Sequence, residues 1–182
     1  MASFFTGKGD TGTTGYLGEG RISKTSIRID AVGSVDEATA ALGLARSLSK
    51  SEKISQILLH VQKQLYWLMS EISAALDVAE KFNKINQDEI LWVEDQIEHL
   101  EKIVVLPREF IIAGESVASA ALALARTIVR RAERRTIALF EAGEINKPLL
   151  IAYLNRLSSL IFLLEVYEAS SSGGGVRLVN ED

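Results

Sequence analysis

The residues that could do chemistry fall in three clusters, and the first is the least like its surroundings. Thr6 to Arg21 reads TGKGDTGTTGYLGEGR, and six of the chain's 13 glycines (7, 9, 12, 15, 18 and 20) lie in it. Glycines let successive backbone N–H groups converge on an anion with no Cβ in the way, while threonine and lysine side chains add donors. That chemistry suits phosphate. The order G-x-x-x-x-G-K-[ST] of a P-loop is absent, so the stretch reads either as another kind of phosphate-binding loop or as a loose N-terminal arm.

The second cluster is LARTIVRRAERR, with Arg126, Arg130, Arg131, Arg134 and Arg135 around one acid, Glu133. Residues 126, 130 and 134 stand four apart, so on a helix their side chains rise along one stripe, roughly opposite Ala121, Leu124, Ile128 and Ala132. Such a stripe repels itself unless acids or phosphates answer it, and a solvated basic face is the alternative. The third cluster is YLNRLSSLIF, where Asn155, Ser158, Ser159 and Phe162 share a face by i, i+3, i+4, i+7 spacing. Polar groups there need either a ligand or hydrogen-bond partners on another helix.

These clusters need a frame, and the periodicity supplies an all-α one. Val32, Val35, Ala38, Leu42 and Ala45 predict a first helix over 26–49, and Ile54, Leu58, Val61, Leu65, Leu68, Ile72 and Ala75 predict a second with a bundle seam. NKINQD interrupts, and Ile90, Val93, Ile97, Leu100 and Val104 mark a third, capped by Asn86 or Asp88 and closed before Pro107. A fourth runs from Ser116 to Ala142, stopped by Gly143, and a fifth from Asn146 or Lys147 to Ala169 with Pro148 in its first turn. Short extended pieces are expected near ASFFT and REFII, and the tail from 170 to 182, SSSGGGVRLVNED at its end, is expected to be flexible. The expected fold is one domain over 1–182, a five-helix antiparallel bundle with a glycine-rich N-terminal loop in residues 1–25.

Composition removes several function classes. The 182 residues carry no cysteine, which excludes disulfide scaffolds, thiolate zinc sites and cysteine nucleophiles. A di-iron bundle needs Glu three residues before His, and Ile57 and Gln96 stand at that spacing from His60 and His99. A net charge of −4 gives no reason to expect nonspecific DNA binding. With no secretory signal pattern and no window of 18 uncharged apolar residues, a cytoplasmic protein without a membrane span is expected.

Taken together, the clusters resemble the PduO-type ATP:cob(I)alamin (corrinoid) adenosyltransferases over nearly the whole chain. TGKGDTGTTGYLGEGRISK is similar to the family's T-x-x-G-D-x-G-x-[ST] loop with a downstream lysine, and GSVDEATAALGLAR to its G-x-V-D-E-L segment. LARTIVRRAERR resembles its A-R-x-x-x-R-R-A-E-R helix, and YLNRLSSLIF its Y-L-N-R-L-S-D-x-x-F helix.

The resemblance implies an enzyme that transfers the 5′-deoxyadenosyl group of Mg-ATP to the Co(I) of a reduced corrinoid, releasing triphosphate and forming adenosylcobalamin. It implies a homotrimer with intersubunit sites, no protein-only metal site, magnesium carried on the ATP phosphates, and a corrinoid reductase and a client enzyme as possible partners. ATP would be held by Thr6, Gly7, Lys8, Gly9, Asp10, Gly12, Thr13, Thr14, Gly15 and Lys24, with Arg130, Arg131, Glu133, Arg134 and Asn155. Asp36, Phe110, Arg126, Ser159 and Phe162 would meet the corrinoid, with Asp36 pairing Arg126 across the subunit interface and Phe110 pressing on the lower face. Arg130, Arg126, Asp36 and Phe110 would carry catalysis. The chain departs from the pattern at IIAGES, where a Pro-Gly turn is common, at Ala38 in VDEA, and at Ser159, where Asp is common. Glu115 and Glu165 are the two carboxylates that could replace that Asp. A noncatalytic ATP or corrinoid carrier is the alternative function.

Overall fold

Four of the five α-helices start where a small polar residue satisfies one of their first free N–H groups. In the computed structural model, which describes residues 5–180, Ser26 accepts the Ile29 N–H and opens α1 (Ile27–Leu48), and Ser51 accepts the Ile54 N–H and opens α2 (Glu52–Ser73). Asn86 and Glu89 form a reciprocal capping box at α3 (Gln87–Glu101), and Ser116 and Ser119 do the same at α4 (Val117–Glu141). Pro148, with φ −65°, precedes α5 (Leu149–Ser171), where its fixed φ is already helical and its missing N–H is no loss.

The five expected helices form one bundle in which α4 runs antiparallel to both α1 and α5, and the seam residues close on one core. α1 packs against α2 and α4, and α5 against α4 and α3. Leu42, Leu58, Leu65, Leu68, Leu122, Leu139, Leu154 and Leu164 are fully buried, each contributing about 1.5–3 kcal/mol by leaving water. Across the centre the Tyr153 hydroxyl donates to Gln64 Oε1 at 2.7 Å, and burial pushes that phenol well above its ordinary value. By length and composition α5 alone among the described helices could cross a membrane, but its apolar surface is spent inside the bundle.

Two pairs of short strands decorate opposite ends. β1 (Thr13–Thr14) pairs antiparallel with β2 (Ile22–Ser23), and β3 (Ile111–Ile112) with β4 (Arg177–Leu178) in the register Ile111 to Leu178. β3 answers the expectation for REFII, whereas most of ASFFT lies outside the described residues. The tail departs from the expected flexible segment: α5 runs to Ser171, and β4 hydrogen bonds to β3. Val179 N–H donates to the Phe110 carbonyl, and Arg177 pairs with Glu115, so backbone partners and an ion pair together fix its course.

α2 and α3 stop earlier than the apolar repeats do. Ala74 leaves the helix to form a parallel bridge with Leu17, and residues 102–104 continue as a turn. The linker between them holds a short 3-10 turn at Ala79–Phe82 that periodicity does not foretell. Its exit is clamped by the buried Glu71, whose Oε1 accepts the Lys84 and Ile85 N–H groups and whose Oε2 accepts Lys147 Nζ at 2.6 Å.

Candidate functional site

The glycine-rich segment is a folded loop, built from its own turns. Gly7, Gly12 and Gly20 take φ of 67°, 81° and 84°, conformations that other residues reach only with strain. Asp10 N–H donates to the Gly7 carbonyl and Gly12 N–H to that of Gly9, each at 3.1 Å. Arg21 organises the rest: its Nη2 donates to the carbonyls of Lys8 at 3.0 Å and Thr13 at 2.8 Å, and its Nε to Thr13 Oγ1 at 3.0 Å. Lys24 lies over Gly9, since a Cβ added there would come within 3.0 Å of Nζ. Thr6, Gly7, Lys8, Asp10, Gly12, Gly15 and Lys24 are exposed, while Gly9, Thr13 and Thr14 are half-buried. The result is an exposed rim that carries the charges of Lys8 and Lys24.

The loop is tied to the bundle at the end of α2. Leu17 N–H donates to the Ser73 carbonyl at 3.1 Å and Ala75 N–H to that of Leu17 at 2.7 Å, just where Arg28 secures the end of α2. Arg28, 5% exposed, donates to the carbonyls of Ile72, Ala74 and Glu144 and to the Glu144 carboxylate, at 2.6–2.8 Å. Sequence reasoning passed over this residue. Its signal was a lone cation in the first turn of an otherwise acid-and-apolar segment, IRIDAVG, which position and period alone do not distinguish from a surface arginine.

The arginine cluster divides between two helix faces. Arg131 pairs with Glu37 and Arg135 with Asp30, the latter at 2.9 Å, so these two fasten α4 to α1. Arg126 Nε donates to Glu165 Oε2 on α5 at 3.3 Å, and its guanidinium stands 5.7 Å from the centre of the Phe162 ring. Glu133 accepts from Asn155 Nδ2 at 3.0 Å, joining the second and third clusters. Arg130 and Arg134 are exposed and carry no ion pair among the described residues. Of the five arginines, these two are the free charges.

Of the residues read as corrinoid-facing, Phe110, Ser159 and Phe162 gather around Arg126, and Asp36 does not. One depression of ≈ 330 Å³ is lined by Ile97, Leu106, Arg126, Arg130, Ser159 and Phe162, among others. An adjoining one of ≈ 720 Å³ is lined by Phe110, Ile111, Arg126, Phe162, Val179 and Asn180 with the Pro107–Glu109 segment. Arg126 and Phe162 are common to both. Phe110 is 88% exposed, an apolar ring held out by the pairing of its own carbonyl with Val179. Ser158 instead donates to its own helix, to the Asn155 carbonyl at 2.9 Å. Asp36 lies exposed on α1, and the partner of Arg126 within the chain is Glu165. Burial raises the Glu165 carboxyl above its ordinary value, and Arg126 only partly offsets that.

An all-α bundle with a glycine-built cationic loop at one end and a hollow walled by arginine, aromatic and aliphatic side chains on α3, α4 and α5 defines the class. The cobalamin adenosyltransferase family profile matches residues 4–168, and the chain belongs to that family. It is 35% identical to the corrinoid adenosyltransferase of Bacillus subtilis over 178 residues, 95% of this chain and 90% of that one. It is 37% identical to the corrinoid adenosyltransferase PduO of Citrobacter freundii over 89% of this chain. There the chain spans about half the relative's length, 48%, as it does for PduO of Salmonella typhimurium, 51%. Among solved structures, a variant PduO-type ATP:corrinoid adenosyltransferase from Lactobacillus reuteri, complexed with cobalamin and ATP, superposes with a TM-score of 0.90 at 28% identity, covering 98% of this chain and all of that one. A second variant from that organism, complexed with ATP, gives 0.89 at 29% identity, covering 97% of this chain and all of that one.

Proposed function

We propose that this protein transfers the 5′-deoxyadenosyl group of ATP to the Co(I) of a reduced corrinoid. The cobalt electron pair attacks C5′ of the ribose, the C5′–O5′ bond breaks, and triphosphate leaves with that bond's electrons, so a Co(III)–carbon bond forms. Co(I) is itself the nucleophile. The protein therefore needs no serine, cysteine or general base; it has to hold C5′ in line with cobalt and stabilise charge on the departing triphosphate.

The observation that carries the reading is the distribution of charge on α4. Arg131 and Arg135 are spent on α1, yet Arg130 and Arg134 remain unanswered beside Glu133 and Asn155, with Arg126 in the hollow beyond. On this reading Arg130 and Arg134 take the triphosphate, Glu133 and Asn155 orient the nucleotide, and Lys8, Thr13, Thr14 and Lys24 close over the phosphates with magnesium. Arg131 contributes to the nucleotide site only through its hold on α1. Ser159, Phe162 and Phe110 receive the corrinoid, with Phe110 against its lower face.

The loop and the arginine stripe belong to one protein but need not serve one site within a single copy. A homotrimer in which the loop of one copy faces α4 of the next, and Asp36 approaches Arg126 of its neighbour, is consistent with the exposure of Asp36, Arg130, Arg134 and the loop. A reductase supplying Co(I) and a client taking the product are the expected partners, and the cytoplasm the expected setting.

Supplying Mg-ATP and chemically reduced corrinoid tests the reading directly. The expected outcome is a photolabile adenosylated corrinoid by absorbance, with stoichiometric triphosphate. Binding of both substrates without either product would establish the carrier function instead.

A further inference from the structure

Ser159 stands where the resembling sequences commonly carry Asp, so a carboxylate that could govern an arginine is missing from α5 at that position. Two others were available to replace it. Glu115 is committed elsewhere, to Arg177 of the β4 segment at 3.4 Å. Glu165, two turns of α5 beyond Ser158, is 2% exposed and reaches Arg126 across the α4–α5 contact.

We propose that Glu165 is a positioning residue, whose buried carboxylate sets the Arg126 guanidinium over Phe162 where the two depressions meet. Three observations converge on it. Arg126 is the charged side chain common to both depressions. Its Nε is held by Glu165 from the interior side, which leaves the outer guanidinium nitrogens to face the hollow. The ring of Phe162 supports the guanidinium at 5.7 Å, a cation–π separation. An arginine on a flexible stem is thereby restricted to one orientation before any ligand arrives, which lowers the ordering cost of binding.

Stability does not account for a carboxylate at this place. Burial disfavours its charged form, and the single hydrogen bond from a partly exposed arginine only partly repays that. One turn to either side of it on α5 stand the buried Ile161 and Ala169, and among them an apolar side chain would pack as well. A group that lowers stability yet holds a site arginine is one retained for the site.

The inference rests on the proposed function, and kinetics with Mg-ATP and reduced corrinoid separate their failures. For Glu165→Gln, kcat/KM for the corrinoid should fall about tenfold, the scale expected when one member of a partly buried pair is removed, while KM for ATP stays within about twofold. Glu165→Asp should recover part of the loss. Adding Glu165→Gln to Arg126→Ala should produce no further decrease, because both act through one guanidinium. Melting of Glu165→Gln at neutral pH should be no lower than that of the unaltered protein, an outcome that a merely structural glutamate would not give. Turnover of the unaltered protein together with an unchanged corrinoid kcat/KM in Glu165→Gln, or losses that add to those of Arg126→Ala, would overturn the positioning role alone. No turnover by the unaltered protein would overturn the function and the role with it.

Discussion

Arg28→Met should be the most damaging single change away from the depressions. The side chain is buried at the loop-bearing end of the bundle, where it gives four hydrogen bonds to three carbonyls and one carboxylate. Methionine keeps the apolar stem and its packing, so the perturbation isolates the guanidinium. Breaking a buried charged pair costs about 3–5 kcal/mol, and because the Glu144 side chain is 49% exposed and can return to water, the low end, about 3 kcal/mol, applies. In a chain of 182 residues each kcal/mol moves the midpoint by about 2–4 °C, so melting should fall by roughly 6–12 °C. The damage should also have a direction. Ala74, one of the released carbonyls, adjoins the bridge that ties Leu17 to α2, so the KM for ATP should rise more than the KM for the corrinoid. Circular dichroism melts and steady-state kinetics check both; a midpoint lowered by less than about 2 °C would refute the reasoning, since it would mean that water replaces the guanidinium without cost.

Arg130→Ala should leave the melting temperature within about 1–2 °C, because an exposed unpaired arginine contributes little, and should lower kcat by about 100- to 1,000-fold, the cost of one lost charge-stabilising donor. Near-normal turnover in that variant would move the triphosphate off α4. Gly18→Ala should weaken ATP binding without altering corrinoid binding, because the new Cβ would lie 2.8 Å from the Ala75 Cβ and from the Tyr16 ring, at the tie between loop and bundle; calorimetric titration with Mg-ATP reads this, and unchanged affinity would show that the tie does not matter. Glu165→Gln should also change how stability follows pH. The folded state raises this carboxyl above its ordinary value near 4.5, so its contribution is present below that value and is lost as pH rises through the folded one. The variant lacks this loss, so its melting temperature should gain on that of the unaltered protein as pH rises from about 4.5, and a difference that stays constant with pH would contradict the burial argument.

What the sequence made legible, and what it hid, follows from the range of the interactions involved. The five helices could be read because their buried residues repeat every three or four positions and because Ser26, Ser51, Asn86 and Ser116 are local caps. Gathering Arg126, Ser159 and Phe162 at one hollow was also legible, since α4 and α5 are consecutive and antiparallel, so facing stripes on them must meet. Arg28 was hidden because its partners lie 44 to 116 residues away, and its burial depends on three helix ends converging, the start of α1 and the ends of α2 and α4. The tail's pairing with Ile111–Ile112 was hidden for the same reason: its glycines favour a loose reading, and the edge that receives it is a two-residue strand with no periodic signal. The choice between Glu115 and Glu165 could be posed from the sequence but decided only by knowing which arginine each one reaches.

The arrangement of arginines on α4 then has a physical logic. A helix that carried all five toward solvent would accumulate repulsion along its length, and one that paired all five would have nothing to offer an anion. Here the row facing α1 is neutralised by Asp30 and Glu37, which turns two potential liabilities into the contact between the helices. Arg126 is neutralised from the interior by Glu165, so it presents directed N–H groups with little net charge. Only Arg130 and Arg134 stay unanswered, and neighbours four apart repel by just a few tenths of a kcal/mol at an exposed surface. That standing cost is too small to unsettle the bundle, while under the proposed function the same two charges, acting together on a leaving triphosphate partly shielded from water, would be worth several times more. Under that function the fold could keep its cationic site ready in the empty state, because the repulsion is felt in water and the attraction where water has been excluded.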